Sequence, residues 1–192
     1  RRYPSSSTWP SETSATDGSG LHDLFLGLLA LPLSRFSVNE GLELLAHPLM
    51  AKALGLSPED LERLFVWLEE SGVRWGLNTL HRHAIDGVSQ FTYTWRFALE
   101  RLLYGYASSD DLIGETAPVS LPSGKDQRLL NALATFISRI ESLQETLRQS
   151  RLAADWKHEL QTILAWLTET EILADADRDV YEFLNQQLEQ LP

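Results

Sequence analysis

The chain reads as a mainly α protein, an irregular bundle of several helices, and three features of its 192 residues predict this. Apolar residues recur at spacings of three and four along most of the length, which lines them up on one face of a helix. Cap signals bracket those stretches, most clearly in "SPEDLERLFVWLEESG" from Ser57 to Gly72, which opens on serine and proline and closes on glycine. No stretch alternates apolar and polar residues as a half-buried strand would, and "TAPVSLP" at Thr116 to Pro122 is extended at most.

Residues 1–20, "RRYPSSSTWPSETSATDGSG", are dominated by Ser, Thr, Pro and Gly and bury too little to offset the entropy of ordering. A flexible lead-in is expected there, with Trp9 able to dock on the body, and a single helical domain over 21–192. Leu21, Leu24, Phe25, Leu28 and Leu29 mark the first helix, which Pro32 ends. Ser37 and Glu40 form an S-x-x-E capping box for a helix carrying Leu42, Leu44 and Leu45, and Pro48 closes that helix or begins the next. In the Ser57 helix, Leu61, Leu64, Phe65 and Leu68 are the expected buried stripe.

Residues 83–93 read as a loop. Thr94 then caps "TWRFALERLLYGYA", with Trp95, Leu99, Leu102, Leu103 and Tyr106 on one side and Gly105 weakening the last turn. Residues 107–127 are rich in Ser, Asp, Gly and Pro and read as a linker or excursion. Leu129, Leu133, Phe136, Ile140, Leu143 and Leu147 then alternate spacings of four and three, a heptad seam. Leu152, Trp156, Leu160, Ile163 and Leu167 repeat it, which predicts an antiparallel pair of helices. A last helix is expected from about Asp177 to Leu191.

Composition narrows the function. Sixteen Lys and Arg against 27 Asp and Glu give a net charge of −11, which repels a phosphate backbone and disfavours tight autonomous binding of DNA or RNA. Without cysteine there is no disulfide framework, no thiol nucleophile and no zinc ribbon. The longest apolar run, "LFLGLLALPL" at Leu24 to Leu33, is about half of what a membrane-spanning helix needs and contains a proline. No membrane contact and a cytoplasmic location are the expectations. The chain opens on Arg1 rather than methionine and reads as a fragment of something longer.

The motifs that would carry chemistry fall short. His81 and His83 are two residues apart, which on a helix sends them to different faces, unlike the two histidines of H-E-x-x-H. His22, His47 and His158 have no ligand cluster near them in sequence. "DADRDVYEFLNQ" begins like a calcium loop, but Val180 stands where glycine is needed and Gln186 where a bidentate glutamate is needed. Its aspartates suit a helix N-terminus better. "SGK" at Ser123 to Lys125 lacks the glycines of a phosphate loop, and no G-x-S-x-G elbow occurs. No catalytic residue, cofactor or metal is expected.

Charge is more informative. Residues 74–106 hold Arg74, Arg82, Arg96 and Arg101 interleaved with Trp75, Tyr93, Trp95, Tyr104 and Tyr106, whereas residues 155–190 hold nine acids against Lys157 and Arg178. Arginines interleaved with aromatics can neutralise and stack a single nucleic-acid strand. The other reading places the aromatics in the core and uses the arginines to pair acids or cap carbonyls. Arg74, Trp75, Arg82, Trp95 and Arg96 are therefore candidates for either DNA or structural contacts.

Three ordered blocks carry a resemblance: "LPLSRFSVNEGLELL" at Leu31 to Leu45, "LGLSPEDLERLFVWLEESGVRWGLNTLHR" at Leu54 to Arg82, and "TWRFALERLLYGYA" at Thr94 to Ala107. In order and spacing the chain resembles part of RecC, the gamma subunit family of exodeoxyribonuclease V, the bacterial RecBCD helicase–nuclease. It departs from the family at Asn78, where an acid often stands, and at Ala98. The resemblance implies a helicase-like subunit without nucleotide-binding motifs or an active nuclease site. It further implies that this chain is a mainly helical insertion of the 2B type of superfamily 1 helicases. RecB-like and RecD-like subunits are the implied partners, with DNA in the context of the full complex and weak or absent binding by the isolated chain. Double-strand break repair and homologous recombination are the implied processes. An independent helical adaptor that binds another protein through an amphipathic seam is the other reading of the heptads and the acidic surface.

Overall fold

In the computed structural model, residues 20–107, 117–119, 126–168 and 175–190 are described. The expected lead-in, Trp9 included, lies outside them except for Gly20, and so does most of the expected linker over 107–127. The described elements are α1 (Gly20–Leu29), a 3-10 turn (Leu31–Leu33), α2 (Val38–Ala46), α3 (Pro48–Ala53), α4 (Pro58–Ser71), α5 (Thr79–Asp86), α6 (Trp95–Ala107), α7 (Gln127–Arg148), α8 (Ala153–Thr168) and α9 (Asp175–Glu189). Among the described residues there is no strand, only a single antiparallel bridge between Ser37 and Trp75.

Local sequence explains most boundaries. Ser37 accepts from Glu40 N while Glu40 accepts from Ser37 N, a closed capping box at the start of α2. Ser57 and Asp60 repeat it at α4, and Gly72 ends that helix in the left-handed region at φ 75°. Pro48 begins α3 rather than closing α2. Thr94 Oγ1 accepts from Phe97 N at 3.1 Å and so caps α6. Asp177, in the first turn of α9, also accepts from Leu21 N at 3.1 Å, so one of the "DAD" aspartates holds the start of α1.

Four expectations change. Residues 83–86 are helical: Asn78 caps α5 by accepting from His81 N at 2.9 Å, and Gly87 closes it at φ 77°. The helix escapes a periodicity search because it is short and its leucine, Leu80, is 74% exposed. In α4 the buried face is turned: Trp67 is fully buried and Phe65 is 41% exposed. Trp67, not Phe65, lies on the side of α4 that packs into the core, where α6 and α7 are its neighbours. In α6 the buried side is Trp95, Ala98, Leu99 and Leu102, with Leu103 exposed.

The fourth is the lengthwise pairing of the last two long helices. The closest backbone neighbours of α7 are α6, α4 and the 3-10 turn, whereas those of α8 are α3, α9 and α1. The heptad leucines Leu129, Leu133 and Leu143 with Phe136 and Ile140 are buried, as expected for a seam, but α4 and α6 cover them. Arg139 of α7 reaches Trp166 of α8 at 5.0 Å, a side-chain bridge across a wider gap.

The helix α6 runs through Gly105 to Ala107. Val119 N donates to Arg101 O at 3.1 Å, and the Val119 carbonyl lies where a Cβ on Gly105 would stand. Helix propensity alone predicts that Gly105→Ala stabilises by about 1 kcal/mol. The packing reverses the sign: we expect a loss of about 1–3 kcal/mol in urea unfolding.

Candidate functional site

The three blocks singled out in the sequence meet at one corner. Gly76 N donates to both Arg35 O and Phe36 O at 3.0 Å, and Val38 N donates to Arg74 O at 2.9 Å, which joins the first block to the second. Trp95 N donates to Gly76 O at 3.0 Å and Arg96 N to Leu77 O at 2.9 Å, which joins the second to the third. Arg74 N donates to Tyr93 O at 2.9 Å. The segment after α4 is extended and irregular, so its amides have no helical partners and are satisfied across the corner instead.

The backbone here needs unusual conformations. Gly76 sits at φ 83°, and Phe36 and Tyr93 take positive φ of 49° and 67°, which side chains other than glycine adopt only when the surroundings hold them there. Phe36 is held by its buried ring, 5.4 Å from Trp95 and 6.4 Å from Phe136 between centroids, and by Ser34 Oγ accepting from its amide at 2.7 Å. Tyr93 lies under the Arg74 guanidinium at 4.8 Å.

The candidate residues divide clearly. Arg82 is only 7% exposed; its Nη1 donates to Thr92 O at 3.0 Å, and its guanidinium lies 4.2 Å from the Trp75 ring centroid. Its aliphatic stem occupies the space beside Gly76 where a Cβ would point. Trp95 is fully buried, with Nε1 donating to Phe36 O at 3.3 Å, so its ring offers no surface to a base. Arg96 is drawn toward α7 by Glu141 at 3.7 Å, which also accepts from Asn78 Nδ2 at 2.7 Å. Arg74 and Trp75 stay at the surface, Arg74 exposed and Trp75 half-buried. Arg35, outside the basic segment, reaches the Trp75 ring at 4.4 Å, and sequence reasoning missed it because its signal is a lone arginine in "SRF".

His81 was also unforeseen as a corner residue. It is 1% exposed, and its Nδ1 accepts from Leu77 N at 3.1 Å, so the neutral ring carries its proton on Nε2. Burial holds its pKa below the ordinary histidine value; the Arg148 charge works the same way, while the Ser34 carbonyl and Glu40 carboxylate oppose it. For Glu40, burial pulls the pKa up, but hydrogen bonds from Ser34 and Ser37 prevail and hold it below the usual value. His47, at the start of α3, is likewise lowered by burial.

Asn78, where the resembling family often carries an acid, caps α5, a role that asparagine and aspartate share.

These shifts give a pH dependence of definite sign. A folded-state pKa below that of the unfolded chain means that the unfolded state binds more protons, so stability rises with pH. The contribution of His47 and His81 is complete above the ordinary histidine value of about 6.5 and is lost as pH falls through their folded-state values. Thermal melts should show a falling Tm below pH 6.5, with a shallower slope in His81→Gln.

Nothing at the corner forms a catalytic constellation. The His81 ring is committed to Leu77, and no hydroxyl nucleophile stands against it with a base. A cavity of about 310 Å³ beside α5 and α7 is lined by Asn78, His81, Gln144, Glu145 and Arg148, amide, carboxylate and cationic groups without a hydroxyl or thiol. Among the described residues no three His, Cys, Asp or Glu side chains gather as a metal site would require, and no helix is long and apolar enough to cross a membrane.

Known proteins place this geometry. A family model described as the RecBCD enzyme subunit RecC fourth domain matches residues 19–192. The RecBCD enzyme subunit RecC of Escherichia coli (strain K12) is 31% identical over 148 residues, covering 76% of this chain and 13% of that protein. That of Mycolicibacterium smegmatis is 31% identical over 155 residues, 79% of this chain and 14% of the relative. That of Haemophilus influenzae is 27% identical over 184 residues, 94% of this chain and 16% of the relative. The chain thus spans only 13–16% of the length of these relatives.

Proposed function

Since the chain belongs to the family of the RecC fourth domain, we propose that it serves as a non-catalytic helical domain of a RecC-like subunit in a DNA helicase and exonuclease V complex. In this reading it acts as scaffold and subunit contact in double-strand break repair and homologous recombination, in the cytoplasm, beside RecB-like and RecD-like partners. We place residues 21–192 in one domain, equivalent to the 2B-type insertion of a helicase-like half. The observation that carries the reading is the corner itself. The three blocks that resemble RecC are tied to one another by backbone hydrogen bonds through Gly76, Arg74 and Leu77, so the marked residues are spent on shape.

Arg74, Trp75, Arg82, Trp95 and Arg96 accordingly act mainly as structural contacts. Of these, Arg74, Trp75 and Arg96 keep some exposure with which to line a DNA path, whereas Arg82 and Trp95 are buried. The purified chain is expected not to hydrolyse ATP and to bind a single-stranded oligonucleotide weakly and only at low salt. The test is complementation in cells lacking the parent subunit. Full-length parent carrying Trp95→Ala should fail to restore exonuclease V activity and should co-purify poorly with its partner subunits. Normal assembly and activity with the corner broken would overturn the scaffold reading. An independent adaptor would instead capture its partner as the isolated chain with the affinity of the whole protein.

A further inference from the structure

α1 and α2 follow one another in the chain but leave a gap between them. The closest backbone neighbours of α1 are α9, α3, α8 and the 3-10 turn, and those of α2 are α3 and α4. The gap is a groove of about 320 Å³ with an apolar floor of Leu24, Leu31 and Leu44. Glu40, Glu43, Leu44 and His47 line its α2 wall at the spacing of one helix face. On the α1 wall stands Gly27, whose backbone is ordinary helix without a positive φ. Outside its own helix backbone, no atom lies within 4 Å of where a Cβ on Gly27 would stand. Neither a backbone angle nor a close neighbour therefore calls for glycine here, and a larger residue would favour the helix and fill the groove. The glycine keeps it open.

Charge decides what can enter. Asp23 and Glu43 are exposed; Asp23 meets only the adjacent exposed His22 at 3.2 Å, and Glu43 has no partner among the described residues. Glu40 stays ionised, because hydrogen bonds from Ser34 and Ser37 outweigh its burial, while burial keeps His47 neutral at pH 7. No lysine or arginine lines the groove. Three carboxylates in a chain of net charge −11 repel nucleic acid and acidic surfaces alike and attract a cation. An apolar floor below a carboxylate rim suits a long cationic side chain, whose methylenes lie on the leucines while its charged end stays at the wet edge. The groove is open to solvent along one side, so it fits a side chain projecting from another surface better than a small molecule that needs enclosure.

We propose that the α1–α2 groove receives an arginine or lysine side chain from a basic surface of another protein subunit, with its methylenes on Leu24, Leu31 and Leu44 and its charge at the carboxylates of Asp23, Glu40 and Glu43. The proposal rests on the reading of this chain as a subunit-contact domain and specifies the surface and chemistry of that contact.

The test uses full-length parent assembled with its partner subunits. A photoreactive benzophenone amino acid in place of Ala30, an exposed residue at the edge of the groove, should be joined by light to a segment of another subunit that carries Arg or Lys at or beside the joined residue. Gly27→Leu, which fills the groove, and Glu43→Lys, which reverses charge at its rim, should each reduce co-purified subunit about tenfold or more. In the 192-residue chain Gly27→Leu should leave the Tm unchanged or raise it, and Glu43→Lys should leave it unchanged, so lost assembly is not lost folding. Glu43→Lys does not alter the shape of the groove and decides the matter by itself if Gly27→Leu folds poorly. Intact assembly with Glu43→Lys overturns the proposal. Cross-links confined to the parent's own polypeptide, to residues 1–19 with Arg1 and Arg2 for example, or none, also overturn it and leave the subunit reading standing. Wild-type parent that fails to co-purify with any other subunit overturns the subunit reading and the proposal together.

Discussion

Trp95→Ala is expected to destabilise the chain by about 3–5 kcal/mol, the largest effect of any single truncation here. The ring is fully buried, 5.4 Å from Phe36 and 6.0 Å from Phe136 between centroids, and it fills the space left by Gly41 on α2. Removing it opens a cavity between α2, α6 and α7 and strands the Phe36 carbonyl that accepts its indole N–H. Because Phe36 holds a positive φ only while packed, the loss should spread into the Ser34–Phe36 turn. Urea unfolding followed by circular dichroism measures the cost. Trp95→Phe should recover part of the packing and none of the hydrogen bond, giving an intermediate value.

Gly76→Ala is expected to cost about 2–4 kcal/mol. Two terms add: a residue with a Cβ is strained at φ 83°, and that Cβ would overlap the stem of Arg82. The second term is separable. In an Arg82→Ala background the overlap is gone, so Gly76→Ala should cost less there than in the wild-type chain. The difference, read from a double-mutant cycle, should exceed about 0.5 kcal/mol, beyond ordinary additivity. Equal costs in both backgrounds would mean that Arg82 yields freely and does not brace the corner.

Much of the fold was legible because local chemistry and packing agree. The boxes at Ser37 and Ser57, Thr94 as a cap and Gly72 as an exit could be read from residue type and spacing, since each satisfies a donor or a backbone angle within one turn. What escaped depends on partners distant in sequence. Phe65 and Trp67 are both apolar, and only the position of α7 and α6 against α4 decides which is buried. Gly105 looked like a helix weakness because Val119, which approaches it, lies beyond a segment without regular periodicity. The seam on α7 was visible, but a heptad states that a helix packs lengthwise and not against which neighbour.

The corner was half legible. Arg74, Trp75 and Arg82 stood out as basic and aromatic residues, and the structure stacks Arg82 on Trp75 and Arg74 on Tyr93. Arg35 joins them from about forty residues earlier, through the hydrogen bonds from Gly76 N, which no spacing rule connects. Trp95, equally prominent in the sequence, lies beneath the cluster in the core, because apolar area decides its place before its capacity to stack on a ligand does.

The central claim is that the blocks marking this family are spent on fixing the corner. One comparison tests it most directly, the unfolding free energies of Arg82→Ala and Arg74→Ala. Arg82 is buried, braces Gly76 and donates to Thr92 O, and its removal should cost about 2 kcal/mol. Arg74 is exposed, and its removal should stay within about 0.5 kcal/mol. An Arg82→Ala variant as stable as the wild-type chain would contradict the claim.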